Sequence, residues 1–208
     1  MQTELATSRE RAAWHRSYKR ILRRAVPGAW REILRLSDGR ELLVRPIAST
    51  DAGGLQSSFL DMTPEEVRFR FQHPMSELSD ELASRLAGVM PPREFALVAL
   101  EHGVDAPRIG AVARASLIAD PREAEFALTV GRPLANLGLG TLMLRRLLRW
   151  ARLKRLDAVY GDISQDNTSM LRVVEKLGFQ RIPLHDNPGL IRARLALAPS
   201  LRAAFPIA

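Results

Sequence analysis

A mixed α/β domain, with a largely antiparallel sheet and helices beside it, is what three features of this 208-residue sequence predict. Residues 30–47 run with a period of two on either side of Asp38 and Gly39, and Asp-Gly between such runs signals a β-hairpin. Residues 50–90 instead carry helix-start signals, before strand-like runs return over 94–130. A glycine-containing turn then joins a strand to a long amphipathic stretch at 139–156, and strand and helix alternate from there to the end.

The first 29 residues read as a basic amphipathic arm. Trp14, Tyr18, Ile21, Leu22 and Ala25 fall on one helical stripe, with most basic residues off it, and Pro27-Gly28 stops the helix. The first reading of that stripe is packing on the domain or across a homodimer. The second is contact with nucleic acid or a membrane surface. The hairpin follows, with strands at 32–36 and 41–47. Thr50-Asp51 offers an N-cap for a helix to Leu60, and Thr63-Pro64-Glu65-Glu66 starts a second. A third spans 77–89 and ends before Pro91-Pro92. Strands are expected at 94–101, 108–117 and 123–130. Leu139, Leu142, Met143, Leu147 and Ala151 share one face of the 139–156 helix, and its arginines (Arg145, Arg146, Arg149, Arg152, Arg155) read as a solvated basic face. A strand at 158–164, a helix at 169–177 and strands at 179–182 and 191–197 complete the order.

Composition narrows the class of function. Hydrophobic residues make up 46% and charged residues 26%, as in ordinary globular chains. The absence of cysteine excludes disulfides, a thiol nucleophile and thiolate zinc sites. No run of about 18 apolar residues and no signal-peptide core is present, so a cytoplasmic protein without a membrane span is expected. The formal charge of +8 is unevenly spread. Residues 1–24 hold seven basic residues (Arg9, Arg11, Arg16, Lys19, Arg20, Arg23, Arg24) and two acidic ones (Glu4, Glu10), a net of +5. The near-neutral remainder argues against a nucleic-acid surface anywhere but the arm. The four histidines, His15, His73, His102 and His185, show no metal-ligand spacing, so no metal is expected.

Two segments carry chemistry. Glu125 through Val130 feeds a turn at 131–138 and a helix opening at Gly138-Leu139-Gly140-Thr141. A glycine turn at a helix N-terminus directs free N–H groups and a favourable dipole at an anion such as a pyrophosphate. The dinucleotide fingerprint fails, because its third glycine position is Met143, and no Gly-Lys-Ser/Thr is present for a nucleoside-triphosphate loop. In the second segment, Asn167 or Thr168 caps a helix and Gly178 ends it before Phe179.

Together, Glu125–Val130, Gly138-Leu139-Gly140, Asn167, Met170 and Lys176-Leu177-Gly178-Phe179 resemble the GNAT N-acetyltransferase superfamily over residues 31–197. Asp38-Gly39-Arg40, Val44-Arg45-Pro46-Ile47, Thr63-Pro64-Glu65-Glu66, Arg68-Phe69-Arg70-Phe71 and Ala124-Glu125-Phe126-Ala127 are similar to its bacterial protein lysine acetyltransferase branch. The resemblance implies a sheet splayed between two strands with acetyl-CoA in the opening, and divides the chain into the arm (1–29) and a GNAT acyltransferase domain (30–208). It implies that the backbone of Leu128, Thr129 and Val130 holds the pantetheine arm. The amides of Asn136, Leu137, Gly138, Leu139, Gly140 and Thr141 would take the pyrophosphate, and Asn167 would contact the cofactor arm. Glu125 matches the general base, and the acceptor is an amine, a protein lysine or a small molecule.

Three positions depart from the family pattern. Ala135 and Asn136 replace the usual Gln/Arg-Gly opening of the loop, and Val174 stands where many members have a tyrosine acid. Backbone amides can still hold a phosphate without a side chain at 135, and Asn tolerates positive φ better than other non-glycine residues. Glu123 shares the facing of Glu125, and Asp162, near the end of the next strand, is a third carboxylate. The acceptor side is expected from the helices at 51–90, with His73 bordering it. The departures also support a second reading, a regulatory module that binds acyl-CoA with little catalysis.

Overall fold

Alternating burial along paired strands builds one sheet, and the computed structural model describes it over residues 21–197 apart from 26, 104 and 106. Nine strands are present among the described residues: β1 (Leu22–Ala25), β2 (Glu32–Arg35), β3 (Glu41–Pro46), β4 (Glu94–Glu101), β5 (Ile109–Ser116), β6 (Glu123–Val130), β7 (Ala158–Ser164), β8 (Gln180–Pro183) and β9 (Leu190–Ala196). Their order is β1-β2-β3-β4-β5-β6-β7-β9-β8. Every neighbouring pair is antiparallel except β6 and β7.

Helices cover both faces. α1 (Ala52–Leu60), α2 (Pro64–Phe71) and α3 (Asp80–Ala87) lie between β3 and β4, α4 (Leu139–Leu153) between β6 and β7, and α5 (Thr168–Lys176) between β7 and β8. Each sheet face has its own core. Leu97 and Ala99 of β4 join Leu139, Met143, Leu144, Leu147 and Val174 of the α4–α5 layer. Ala96, Val98 and Leu100 join Leu55, Phe59, Val67 and Ala83 of the α1–α3 layer. The alternation along β4 therefore feeds two cores at once, as a strand buried on both faces must.

Local signals set most boundaries. Thr63 and Glu66 form a reciprocal capping box on α2, with Thr63 Oγ1 accepting from the Glu66 amide and the Glu66 carboxylate accepting from the Thr63 amide. Asn167 is the cap of α5, its Oδ1 accepting from the Met170 amide at 3.0 Å. Gly178 takes φ +83° just past that helix, the left-handed turn a C-terminal glycine provides.

The structure adjusts five expectations. The arm helix does not reach Ala25: Leu22–Ala25 is a strand paired with β2, and the rest of the arm, Trp14 and Tyr18 included, lies outside the described residues. Asp51 is the N-cap residue of α1, but its side chain bonds none of that helix's N–H groups. Its carboxylate accepts from both terminal nitrogens of Arg45 at 2.7 Å and from the Ala48 amide at 2.8 Å, because a guanidinium is a stronger partner than a helix N–H. α3 is shorter than 77–89, since Ser79 caps it, and α4 stops at Leu153, just before Arg155 adopts φ +58°. Nor is the basic face of α4 wholly solvated. Arg146 Nε donates to Glu32 Oε1 at 2.8 Å, Arg23 Nε donates to the other oxygen at 2.9 Å, and Glu32 is 7% exposed. Arg149 lies over the Trp30 ring, 5.2 Å from its centroid.

Candidate active site

Parallel pairing of β6 with β7 covers only Glu123–Glu125 opposite Ala158–Tyr160. Beyond that, β6 runs on to Val130 beside β5 alone, and β7 runs on to Ser164 beside β9 alone. The sheet therefore forks, leaving the inner edge of Phe126–Val130 without a strand partner. Packing fits the opening at this point. The Phe126 ring sits so close to Gly161 that a Cβ on residue 161 would lie 2.7 Å from it. Phe179 meets the same ring edge-on, centroids 5.6 Å apart.

A cavity of about 1190 Å³ follows from the fork over the glycine turn. Leu128, Thr129, Val130, Asn136, Gly138, Gly140, Thr141 and Asn167 line it. Asn136 has φ +61° and Gly138 φ +86°, so the turn needs left-handed backbone at both. The amides of residues 136–141 make no hydrogen bond among the described residues, and those of Leu139, Gly140 and Thr141 belong to the open first turn of α4. The result is a cluster of six unspent donors at the positive end of a 15-residue helix. Leu137 and Leu139 line neither cavity, and their side chains pack into the core. Asn167, whose oxygen is spent on its helix, has its amide hydrogens left for a ligand in the cavity.

A smaller cavity of about 280 Å³ adjoins it and shares Phe69, Arg70, Leu128, Asn167 and Met170. Here the three candidate carboxylates separate. Glu123 accepts from Arg194 at 2.6 Å and lines neither cavity. Asp162 lines the smaller cavity but is held by Arg192 through two bonds of 2.7 Å. Glu125 lines it too, half-buried, and makes no hydrogen bond or ion pair among the described residues. Burial first, and then the charge of Asp162, push its carboxyl above the usual carboxylate range, while Arg192 and Arg70 oppose them. A carboxylate so placed can accept a proton near neutral pH more readily than an exposed one.

Chain order gave no hint that His73 would stand aside: it is exposed and lines neither cavity. Phe69, Phe126, Gly161 and Arg70 were not expected as site residues. A glycine inside an apolar strand was the available signal for Gly161, since it marks close approach of another group. Val174 is fully buried in the α4–α5 core and itself carries no hydroxyl. Among the described residues there is no group of three His, Asp or Glu that could hold a metal, and no helix is long and apolar enough to cross a membrane.

Comparison with known proteins fits this geometry. Residues 41–180 match the acetyltransferase (GNAT) domain family. The chain belongs to the GNAT acetyltransferases. It is an N-acetyltransferase by family. The enzyme is 29% identical over 164 residues to Acetyltransferase PA5475 of Pseudomonas aeruginosa, across 78% of this chain and 87% of that one. Its fold matches the GNAT domain of S. lividans PAT with a TM-score of 0.72 and 23% identity, over 83% of this chain and 100% of that one. It also matches a ribosomal-protein-S5-alanine acetyltransferase from Vibrio fischeri, with a TM-score of 0.60 and 14% identity over 74% and 92% of the two chains. At these identities the two structures speak for the fold alone.

Proposed function

We propose that the enzyme moves the acetyl group of acetyl-CoA directly to an amine, with Glu125 as general base. The observation that carries this is the unpaired, half-buried Glu125 beside the fork, next to six unspent amides at a helix N-terminus. A pyrophosphate on the amides of Asn136 to Thr141 would set the cofactor along the open edge of Leu128, Thr129 and Val130, with its thioester toward Glu125. Glu125 takes a proton from the ammonium, and the freed lone pair attacks the thioester carbon. An N–H on the open edge of β6 is suited to the developing oxyanion. The C–S bond then breaks as the nitrogen gives up its second proton to solvent, and the CoA thiolate leaves to be protonated by solvent, since Val174 supplies no acid. With no cysteine in the chain, the transfer proceeds without a thiol acyl-enzyme.

For the acceptor, a protein lysine is the class that the resemblance of Arg68–Phe71 and its companion motifs supports, acetylated in the cytoplasm. Purified enzyme given acetyl-CoA and lysine-containing peptides should release CoA and yield peptides 42 Da heavier, the mass an acetyl group adds in about that amount by its chemistry. A thiol reagent reads the CoA without background, because the enzyme itself has no thiol. CoA release without an acetylated acceptor would defeat the proposal.

A further inference from the structure

Arg70, at the end of α2, stands where the two cavities meet. Its guanidinium carbon lies 4.9 Å from the centroid of the Phe71 ring. It makes no hydrogen bond or ion pair among the described residues; of its charged neighbours, Arg114 pairs with Glu94 at 3.1 Å, while Glu125 is unpaired as well. None of its nitrogens is sealed from the cavity, since no buried side-chain nitrogen lacks a partner. Burial and the nearby Arg114 lower its pKa to about 10, and Glu125 opposes them, so the cation is held at a desolvation penalty with Glu125 in electrostatic reach. A half-buried guanidinium with its donors unspent is poised for an anion from outside the chain.

Position selects which anion. The pyrophosphate has its own amides at the α4 turn, and Glu125 is needed to face the reacting amine. That leaves the acceptor side of the cavity, where an amine at Glu125 puts neighbouring atoms of the acceptor at Arg70. We propose that Arg70 binds a carboxylate that the acceptor carries beside its amine, and so determines acceptor specificity. The planar fork of donors matches a carboxylate through two parallel bonds. In a peptide acceptor the carboxylate belongs to an acidic residue flanking the lysine, and in a small acceptor it belongs to the amino acid itself. The inference rests on the reading of Glu125 as base.

The test uses matched acceptors that differ only in that group. One arm compares lysine peptides carrying Asp or Asn beside the lysine. The other compares free amino acids with their carboxamides. Each is read by kcat/KM and, with CoA present, by calorimetric binding of the acceptor. Wild type should favour the acid over its amide by about tenfold or more in one arm, which identifies the source of the carboxylate. Arg70→Gln should bring that ratio near one, and Arg70→Lys should keep part of it. The wild-type comparison needs no variant to fold. Equal use of acid and amide in both arms would overturn the inference, as would a preference that survives Arg70→Gln or an effect confined to the KM of acetyl-CoA. Loss of turnover in Glu125→Gln with acid and amide alike concerns the base, while the binding ratio reports on Arg70 independently.

Discussion

Gly161 offers the sharpest steric test of the fork. Its backbone is not in the left-handed region, so replacing it with alanine adds no torsional strain, only a methyl group. That methyl would fall 2.7, 2.8 and 3.0 Å from three atoms of the Phe126 ring, against an ordinary carbon–carbon contact of about 3.5–4.0 Å. The ring must retreat by something near an ångström. It is 6% exposed and backed by Phe179, so it cannot swing clear without disturbing the core. Overpacking of this kind costs about 1–3 kcal/mol. Gly161→Ala should lower the unfolding free energy by that amount in urea titration and depress Tm by about 2–4 °C for each kcal/mol. Phe126→Leu in the same chain should recover part of the loss, a coupling that a double-mutant cycle would resolve. Because Phe126 borders the smaller cavity, turnover should fall as well. A stability change below about 0.5 kcal/mol with no coupling to Phe126→Leu would refute the wedge.

Other perturbations probe separate parts of the structure. Removing the Asp162 charge takes away one cause of the raised Glu125 pKa and frees Arg192, which lowers it, so the acid limb of the pH–rate profile in Asp162→Asn should move to lower pH. A move to higher pH would contradict the assignment. Because the folded pKa of Glu125 is raised, the stability it contributes is fully present below its unfolded pKa and is lost as pH rises through its folded pKa. Glu125→Gln should therefore be more stable than wild type at pH 7 and not at pH 3, as thermal melts at the two pH values would show. Glu32→Ala leaves the largely buried Arg146, its side chain 15% exposed, without its carboxylate and should destabilise the enzyme by about 3 kcal/mol in chemical denaturation. At Gly138 a Cβ meets only Ile21, at 3.7 Å, but φ is +86°, so Gly138→Ala should cost about 1–2 kcal/mol of local strain and weaken CoA binding in calorimetry.

Much of the fold was written in short-range signals. The Asp38-Gly39 hairpin, the Thr63 capping box, the Asn167 cap and the apolar face of α4 depend on neighbours within a few residues, and they appear where the sequence puts them. What was illegible depends on partners far along the chain. Leu22–Ala25 has the spacing of a helix stripe, yet pairing with β2 and the Arg23–Glu32 contact make it a strand. Arg146 looks like any exposed helix arginine until Glu32, 114 residues away, closes on it. The same holds in the site. Glu123, Glu125 and Asp162 are equivalent as sequence, and only Arg194 and Arg192 on β9 separate the two paired carboxylates from the unpaired one. Arg70 belonged to a recognised motif, but its isolation is visible only once every neighbouring charge has been placed.

Acceptor-dependent CoA release by Glu125→Gln, measured across pH beside the wild type, tests the central claim most directly. The amide keeps the shape of the side chain and removes its basicity, so turnover at neutral pH should fall by about 10²–10⁴-fold and the acid limb should vanish, while CoA binding by calorimetry stays as it was. Turnover within a fewfold of wild type, with the same acid limb, would contradict the account.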